Sequence, residues 1–152
     1  MNKISTLEKK VDFGHLPNYL GYQIRQAQTA IFRDFAGLMK DVGVTPGEFS
    51  LLTLLDANPG INQITLTRVY QLDKSTLSYA INGLKQRRLV KRVRDRDDRR
   101  YFSLWLTEVG REVLGRATER VEAQERAMDA VLRPGERAQL LDQFKRISGA
   151  FD

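Results

Sequence analysis

The sequence predicts a mainly helical fold with a small β-ribbon, and three observations carry that prediction. Apolar residues recur at three- and four-residue spacing over most of the 152 residues, which is the period of amphipathic helices. One pair of segments, Leu89–Arg94 and Tyr101–Leu106, departs from that period and reads as strands. The entire net charge of +6 gathers around that pair: nine cations and three acids lie from Lys85 to Arg100, and the rest of the chain is balanced.

Val11 to Asp41 reads as a long helix, with Leu20, Ile24, Ala27, Ile31, Phe35 and Leu38 on one stripe. Pro17 suits its first turn and Gly43 its end. Thr45-Pro46-Gly47-Glu48 is a capping box with proline at the first helical position, so a second helix starts there. Leu51, Leu52, Leu54 and Leu55 make that helix apolar nearly all round, and Asn58-Pro59-Gly60 ends it. A short helix follows from about Asn62 to Tyr70, with Leu66, Val69 and Tyr70 inward. Gln71 and Leu72 make a turn, and Asp73 is a good N-cap for a helix from about Lys74 to Arg87.

That helix divides into two faces. Leu77, Ile81 and Leu84 share one stripe, while Ser75, Ser78, Tyr79, Asn82 and Gln86 lie opposite, with Lys74 and Lys85 at the edges. In the second strand Phe102, Leu104 and Leu106 alternate with Tyr101, Ser103 and Trp105. Thr107 opens a helix that reaches about Leu132, with Val109, Val113, Leu114, Ala117, Val121 and Met128 inward. Pro134 opens a final helix, with Leu140, Leu141, Phe144 and Ile147 inward.

Composition narrows the function. There is no cysteine, which removes disulfides, thiolate metal sites and thiol redox switching. His15 is the single histidine, so an imidazole-built metal site within one chain is not expected, and neither is a cofactor. No glycine loop suited to phosphates is present, and the paired acids Asp97 and Asp98 sit among arginines, a poor place to raise a pKa. An enzyme is therefore not expected. No apolar run approaches the ~20 residues of a membrane span, and the polar Met1–Lys10 lacks a signal peptide's apolar core, so a cytoplasmic protein without a membrane partner is expected.

A basic patch on a neutral body is the electrostatic footprint of a nucleic-acid binder. The acid-free outer face of the Lys74 helix suits base edges and phosphates in a major groove. Lys74, Ser75, Thr76, Ser78, Tyr79, Asn82 and Lys85 on that helix, with Arg94, Arg96, Arg99 and Arg100 on the ribbon, are the candidate contacts to double-stranded DNA. The alternative is a solvated charge run on an interaction module or a nonspecific nucleic-acid binder.

The order of elements resembles the MarR family (multiple-antibiotic-resistance regulators). The residues that carry the resemblance are Leu72-Asp73-Lys74-Ser75-Thr76-Leu77-Ser78, Arg88-Leu89-Val90, Asp98-Arg99-Arg100 and Leu104-Trp105-Leu106-Thr107. It covers about residues 17–148. It implies one domain over 1–152, with a winged helix-turn-helix lobe at about 45–106 and dimerisation helices at about 11–43 and 107–150. It also implies a recognition helix starting at Lys74 and a wing whose arginine, Arg96 or Arg100, enters the minor groove. Asp95 and Asp98 are expected to orient those arginines. Tyr79 stands where many members carry arginine, and Arg88 where glycine commonly closes the helix.

Independently of the family, the first and the last two helices carry more apolar surface than one lobe can cover, so a two-fold homodimer is expected. Two recognition helices would then read half-sites of a pseudo-palindrome roughly 34–36 Å apart. The resemblance further implies a repressor released by a small effector. The form of Leu20–Gln28 looks like a branch that controls aromatic-acid breakdown, with phenolic acids or their coenzyme A thioesters as effectors. His15, Tyr19, Gln23 and Arg25 are the candidate effector contacts. The alternative is that Tyr19 packs and Arg25 is solvated.

Overall fold

The computed structural model describes residues 11–70 and 73–152. The expected turn at Gln71 and Leu72 lies outside the described residues. Six α-helices and three strands follow in the order α1 (Leu20–Leu38), α2 (Pro46–Ala57), β1 (Ile61–Asn62), α3 (Gln63–Tyr70), α4 (Lys74–Gln86), β2 (Val90–Arg94), β3 (Phe102–Leu106), α5 (Glu108–Asp129) and α6 (Glu136–Gly149) among the described residues. The chain divides into two compact units, with the boundary between Gly37 and Leu38.

In the first unit, the helix expected from Val11 starts nine residues later. Gly14 takes a left-handed φ of 57°, and its N–H donates to Asp12 Oδ1 at 2.8 Å. A single 3₁₀ turn, Leu16–Asn18, holds Pro17, and Tyr19 is extended before α1 begins at Leu20. The proline therefore sits at the start of a 3₁₀ turn preceding the helix rather than opening the helix itself. Leu20 and Ile24 on the expected apolar stripe of α1 are 73% and 37% exposed, Phe32 beside it is 47% exposed, and Phe35 is buried.

The second unit contains the helix-turn-helix lobe. The capping box at Thr45 forms: Glu48 N–H donates to Thr45 Oγ1 at 3.2 Å, and Thr45 N–H donates to Glu48 Oε2 at 3.0 Å. Leu51, Leu52 and Leu55 are buried along α2. Leu66 from α3, the stripe Leu77, Ile81 and Leu84 from α4, and Leu104 from β3 complete a core with no solvent exposure at these five positions. Val69 is 62% exposed, against the expectation that it points inward. The eight residues of α3 give it only two turns, enough for one buried apolar position, which Leu66 fills.

The ribbon is part of a three-stranded antiparallel sheet in the order β1-β3-β2, and β1 had no signature in the sequence. Ile61 pairs with Leu104 and Asn62 with Ser103. Two residues are too few to show alternation. Asn62 also caps α3, with its Oδ1 accepting from Ile64 N–H at 2.8 Å. Gly60, at φ 78°, precedes this strand, and a Cβ there would stand 2.7 Å from the Trp105 ring. Gly110 is required for a different reason: a Cβ would lie 2.2 Å from the Leu89 carbonyl oxygen, so only glycine lets α5 approach the base of β2. Thr107 caps α5 by accepting from Gly110 N–H at 2.9 Å, and its hydroxyl donates to Arg88 O at 2.7 Å.

Helix α4 ends in a Schellman motif built on a non-glycine residue. Arg88 N–H donates to Lys85 O at 2.9 Å, Leu89 N–H donates to Leu84 O at 3.0 Å, and Arg88 has a φ of 61°. The left-handed conformation costs an L-residue roughly 1–2 kcal/mol. Arg88→Gly is accordingly expected to raise stability by about 1 kcal/mol in a denaturant titration, while removing one positive charge. A lower midpoint in the variant would contradict this assignment of strain.

In α5, Leu114 and Ala117 are buried and Val109 is 52% exposed, although its position in the repeat predicted burial. On α6, Leu140 and Ile147 are half-buried, while Leu141 and Phe144 are 50% and 46% exposed. This α6 face is thus incompletely covered within the chain. No described helix is long and apolar enough to cross a membrane. Among the described residues, no group of three or more His, Asp or Glu side chains could hold a metal ion.

Candidate nucleic-acid interface

Asp73 sets the start of α4. Its Oδ1 accepts from Thr76 N–H at 2.8 Å and from Ser75 Oγ at 2.6 Å, and Thr76 Oγ1 donates to Oδ2. The hydroxyls of Ser75 and Thr76, then the Thr76 amide, hold the Asp73 carboxyl well below its ordinary range. These two hydroxyls therefore spend their hydrogens on the cap and offer DNA only their lone pairs. That narrows the role expected for Ser75 and Thr76 as contacts.

A carboxyl whose pKa is depressed by folding stabilises the native state above its unfolded value of about 3.9, and that contribution is lost as pH falls through the folded value. Asp73 should thus add nothing to the pH dependence between 5 and 8 and weaken the fold only in strong acid. Asp73→Ala is expected to lower the thermal midpoint at pH 7 and to flatten its fall below pH 4. Identical acid limbs in wild type and variant would refute the cap's role.

The rest of the α4 outer face is open. Tyr79 is 83% exposed, and Lys74, Asn82 and Lys85 are exposed. Ser78 is half-buried, and its Oγ accepts from Gln63 Nε2 at 3.3 Å. Gln63, on the first turn of α3, had no signature in the sequence, and its Oε1 is buried without a partner. Arg87, counted in the basic run, is held by its own lobe. Its guanidinium donates to Gly43 O at 2.7 Å and Glu48 Oε1 at 3.2 Å, which ties the end of α4 to the capping box of α2.

The ribbon divides its arginines by register. Arg92 stands opposite Leu104 and Arg94 opposite Phe102, so both lie on the Phe102 face of the sheet. Their guanidinium carbons sit 4.3 and 5.2 Å from the Phe102 ring centroid. Arg100 is fixed by a two-pronged pairing: Nε donates to Asp98 Oδ1 at 2.9 Å and Nη2 to Oδ2 at 2.6 Å. This contact, and then the Arg100 amide, lower the Asp98 pKa, and the contact itself raises that of Arg100. Asp95 acts differently from its expected part as an arginine aimer. Its Oδ1 accepts from the backbone N–H groups of Asp97 and Asp98 at 2.8 and 3.1 Å, so it shapes the turn of the ribbon. Arg96 and Arg99 are exposed in that turn.

Between α3, the start of α4 and the ribbon lies a groove of about 490 Å³. Arg68, Lys74, Arg92 and Arg100 bring four cations to it, with Ser78 and Phe102 also in its wall. Arg68 and Arg92 were not among the sequence candidates. The alternation of β2, which places Arg92 on the Arg94 face, was the signal for the second of them.

The effector candidates lie in the first unit. Gln23 Nε2 donates to Pro17 O at 2.8 Å, which fastens the start of α1 to the preceding turn. His15 and Arg25 are exposed, and Tyr19 is 58% exposed.

The MarR family model matches residues 42–100, from the end of the α1 connection to the turn of the ribbon. A Thauera aromatica protein assigned to regulation of the hcr operon is 33% identical over 135 residues, covering 88% of this chain and 81% of its own. The structure of the transcriptional repressor CouR bound to a 23-mer DNA duplex superposes with a TM-score of 0.85 at 34% identity, covering 91% of this chain and 98% of that one. CouR bound to p-coumaroyl-CoA gives a TM-score of 0.81 at 34% identity, covering 91% and 97%. The Streptomyces coelicolor regulator PcaV, in complex with its natural ligand, gives 0.81 at 28% identity, covering 93% and 100%. These similarities cover about nine-tenths of the chain: the chain is a transcriptional regulator and belongs to the MarR family.

Proposed function

We propose that the chain acts as a homodimeric repressor that binds a pseudo-palindromic operator and is released by a phenolic acid or its coenzyme A thioester. The observation that carries the DNA-binding geometry is the cationic groove that joins the Lys74 end of α4 to the Arg92 and Arg100 face of the ribbon. The polar face of α4 enters the major groove. Lys74, Lys85, Arg92 and Arg100 hold phosphates on either side of it. Arg100 is anchored by Asp98 in the turn just before β3, whereas Arg96 is exposed at the start of that turn. Arg96 is therefore the arginine assigned to the minor groove, where a narrow A·T tract has the most negative potential. The outward apolar residues of α1, Leu20 and Phe32, and of α6, Leu141 and Phe144, are covered by a second copy, which sets the two recognition helices a fixed distance apart.

The effector class rests on the relatives: CouR is bound to p-coumaroyl-CoA, and PcaV to its natural ligand. Arg25 supplies a cation for a carboxylate or phosphate, and His15 and Tyr19 supply ring surface. Release requires the effector to favour the non-binding state, and each tenfold loss of DNA affinity takes about 1.4 kcal/mol of coupling. The test titrates p-coumarate and p-coumaroyl-CoA separately into the preformed complex with a duplex from upstream of the chain's own gene. One of them is expected to displace the DNA, and Arg25→Ala to weaken its effect. No displacement by either at saturating concentration would remove this effector class.

A further inference from the structure

Tyr79 is the side chain on α4 that its own fold leaves most conspicuously unused. It is 83% exposed, and no hydrogen bond of its hydroxyl occurs among the described residues. It stands in the middle of the helix, one turn after the capped end and on the face away from Leu77, Ile81 and Leu84. An aromatic ring standing in water contributes little to folding. Placed in a major groove, it presents an apolar ring edge and one hydroxyl at the tip. A ring edge cannot make the two parallel donor contacts that guanine O6 and N7 accept from arginine. What it can cover is the C5 methyl of thymine, the only apolar group in the major-groove code.

Asn82 follows three residues later, so its Cβ lies about 5–6 Å from that of Tyr79 on the same surface. It is exposed, and its amide can pair with adenine N6 and N7 together. The nearer hydroxyls on this face are partly committed within the fold. The hydroxyls of Ser75 and Thr76 are turned to Asp73, and Ser78 Oγ is engaged by Gln63. Tyr79 and Asn82 are thus adjacent, exposed side chains whose chemistry agrees, with Gln86 one turn further along the same face.

We propose that Tyr79 and Asn82 together read an A·T element in each half-site, Tyr79 by packing on a thymine methyl and Asn82 by pairing with an adenine one or two steps away. This deepens the DNA-binding reading above and rests on it.

The experiment selects duplexes from a randomised pool with the full chain, then scans the consensus by replacing each thymine with deoxyuridine, which removes only the methyl group. The proposal expects A·T pairs at the centre of each half-site. One uracil there should weaken wild-type binding about three- to five-fold, the worth of one buried methyl-sized group. Tyr79→Ala should bind the thymine and uracil duplexes equally, while Tyr79→Phe keeps the difference. Tyr79→Arg should move the preference at that position to G·C. Because the side chain is exposed, these variants are expected to fold as the wild type does. A clear consensus with an uracil effect undiminished in Tyr79→Ala, or with G·C at the half-site centres, would overturn this proposal alone. Equal binding of every duplex would overturn sequence-specific reading itself, and this proposal with it.

Discussion

The double variant Arg92→Ala/Arg100→Ala is expected to lose about 100- to 1,000-fold in affinity at each half-site of the duplex, because each guanidinium supplies a charge-assisted contact to phosphate. Both side chains are already placed before DNA arrives. Arg92 lies 4.3 Å from the Phe102 ring, and Arg100 is held by Asp98. Little side-chain freedom remains to be lost on binding, which makes these two arginines stronger phosphate contacts than a free lysine. The two substitutions remove four phosphate contacts from the dimer, which should also reduce the slope of log affinity against log salt by about 3.6. The loss should be the same factor on native and scrambled duplexes, since phosphates carry no sequence. Arg96→Ala should behave otherwise and weaken A·T-rich duplexes selectively. Anisotropy titrations of the variants on both duplexes at several salt concentrations check each point. An unchanged salt slope in the double variant would exclude the groove from the interface.

Leu104→Ala is expected to cost about 2–5 kcal/mol of stability, a large share of the 5–15 kcal/mol that holds a typical domain together. Leu104 has no solvent exposure and lies in the central strand, opposite Ile61 on one side and Arg92 on the other. Its loss opens a cavity under the ribbon. The same truncation on the other face of the sheet, Val93→Ala, removes a side chain that is 38% exposed and should cost no more than about 1 kcal/mol. Chemical denaturation with both variants checks this. Equal midpoints would place the core elsewhere.

The elements that carry DNA contacts were legible in the sequence because each announces itself locally. The Thr45 capping box, the Asp73 cap and the Leu77-Ile81-Leu84 stripe are short-range patterns, and all three appear as read. Arg88 stands where the family commonly carries glycine, and its φ of 61° is the left-handed conformation that glycine would take without strain. What the sequence did not reveal depends on distant partners. Strand β1 exists because β3 pairs with it, and two residues carry no period. Gln63 joins the site only because α3 packs beside Ser78, fifteen residues away in the chain. Arg68 and Arg87 look alike in the sequence, yet one lines the groove and the other is tied to Gly43 and Glu48. The exposed stripes of α1 and α6 were read correctly as apolar, but periodicity alone does not say whether the same chain covers them.

The most direct test of the account is equilibrium binding of the full chain to a duplex from upstream of its own gene and to a scrambled duplex of equal composition, at low and at physiological salt. The account predicts that the native duplex binds at least about 1,000-fold tighter than the scrambled one at physiological salt, as specific regulators do. It predicts that this preference survives the salt change while both affinities fall. Equal binding of the two duplexes, abolished together by salt, would contradict it and leave only a basic surface with no operator to read.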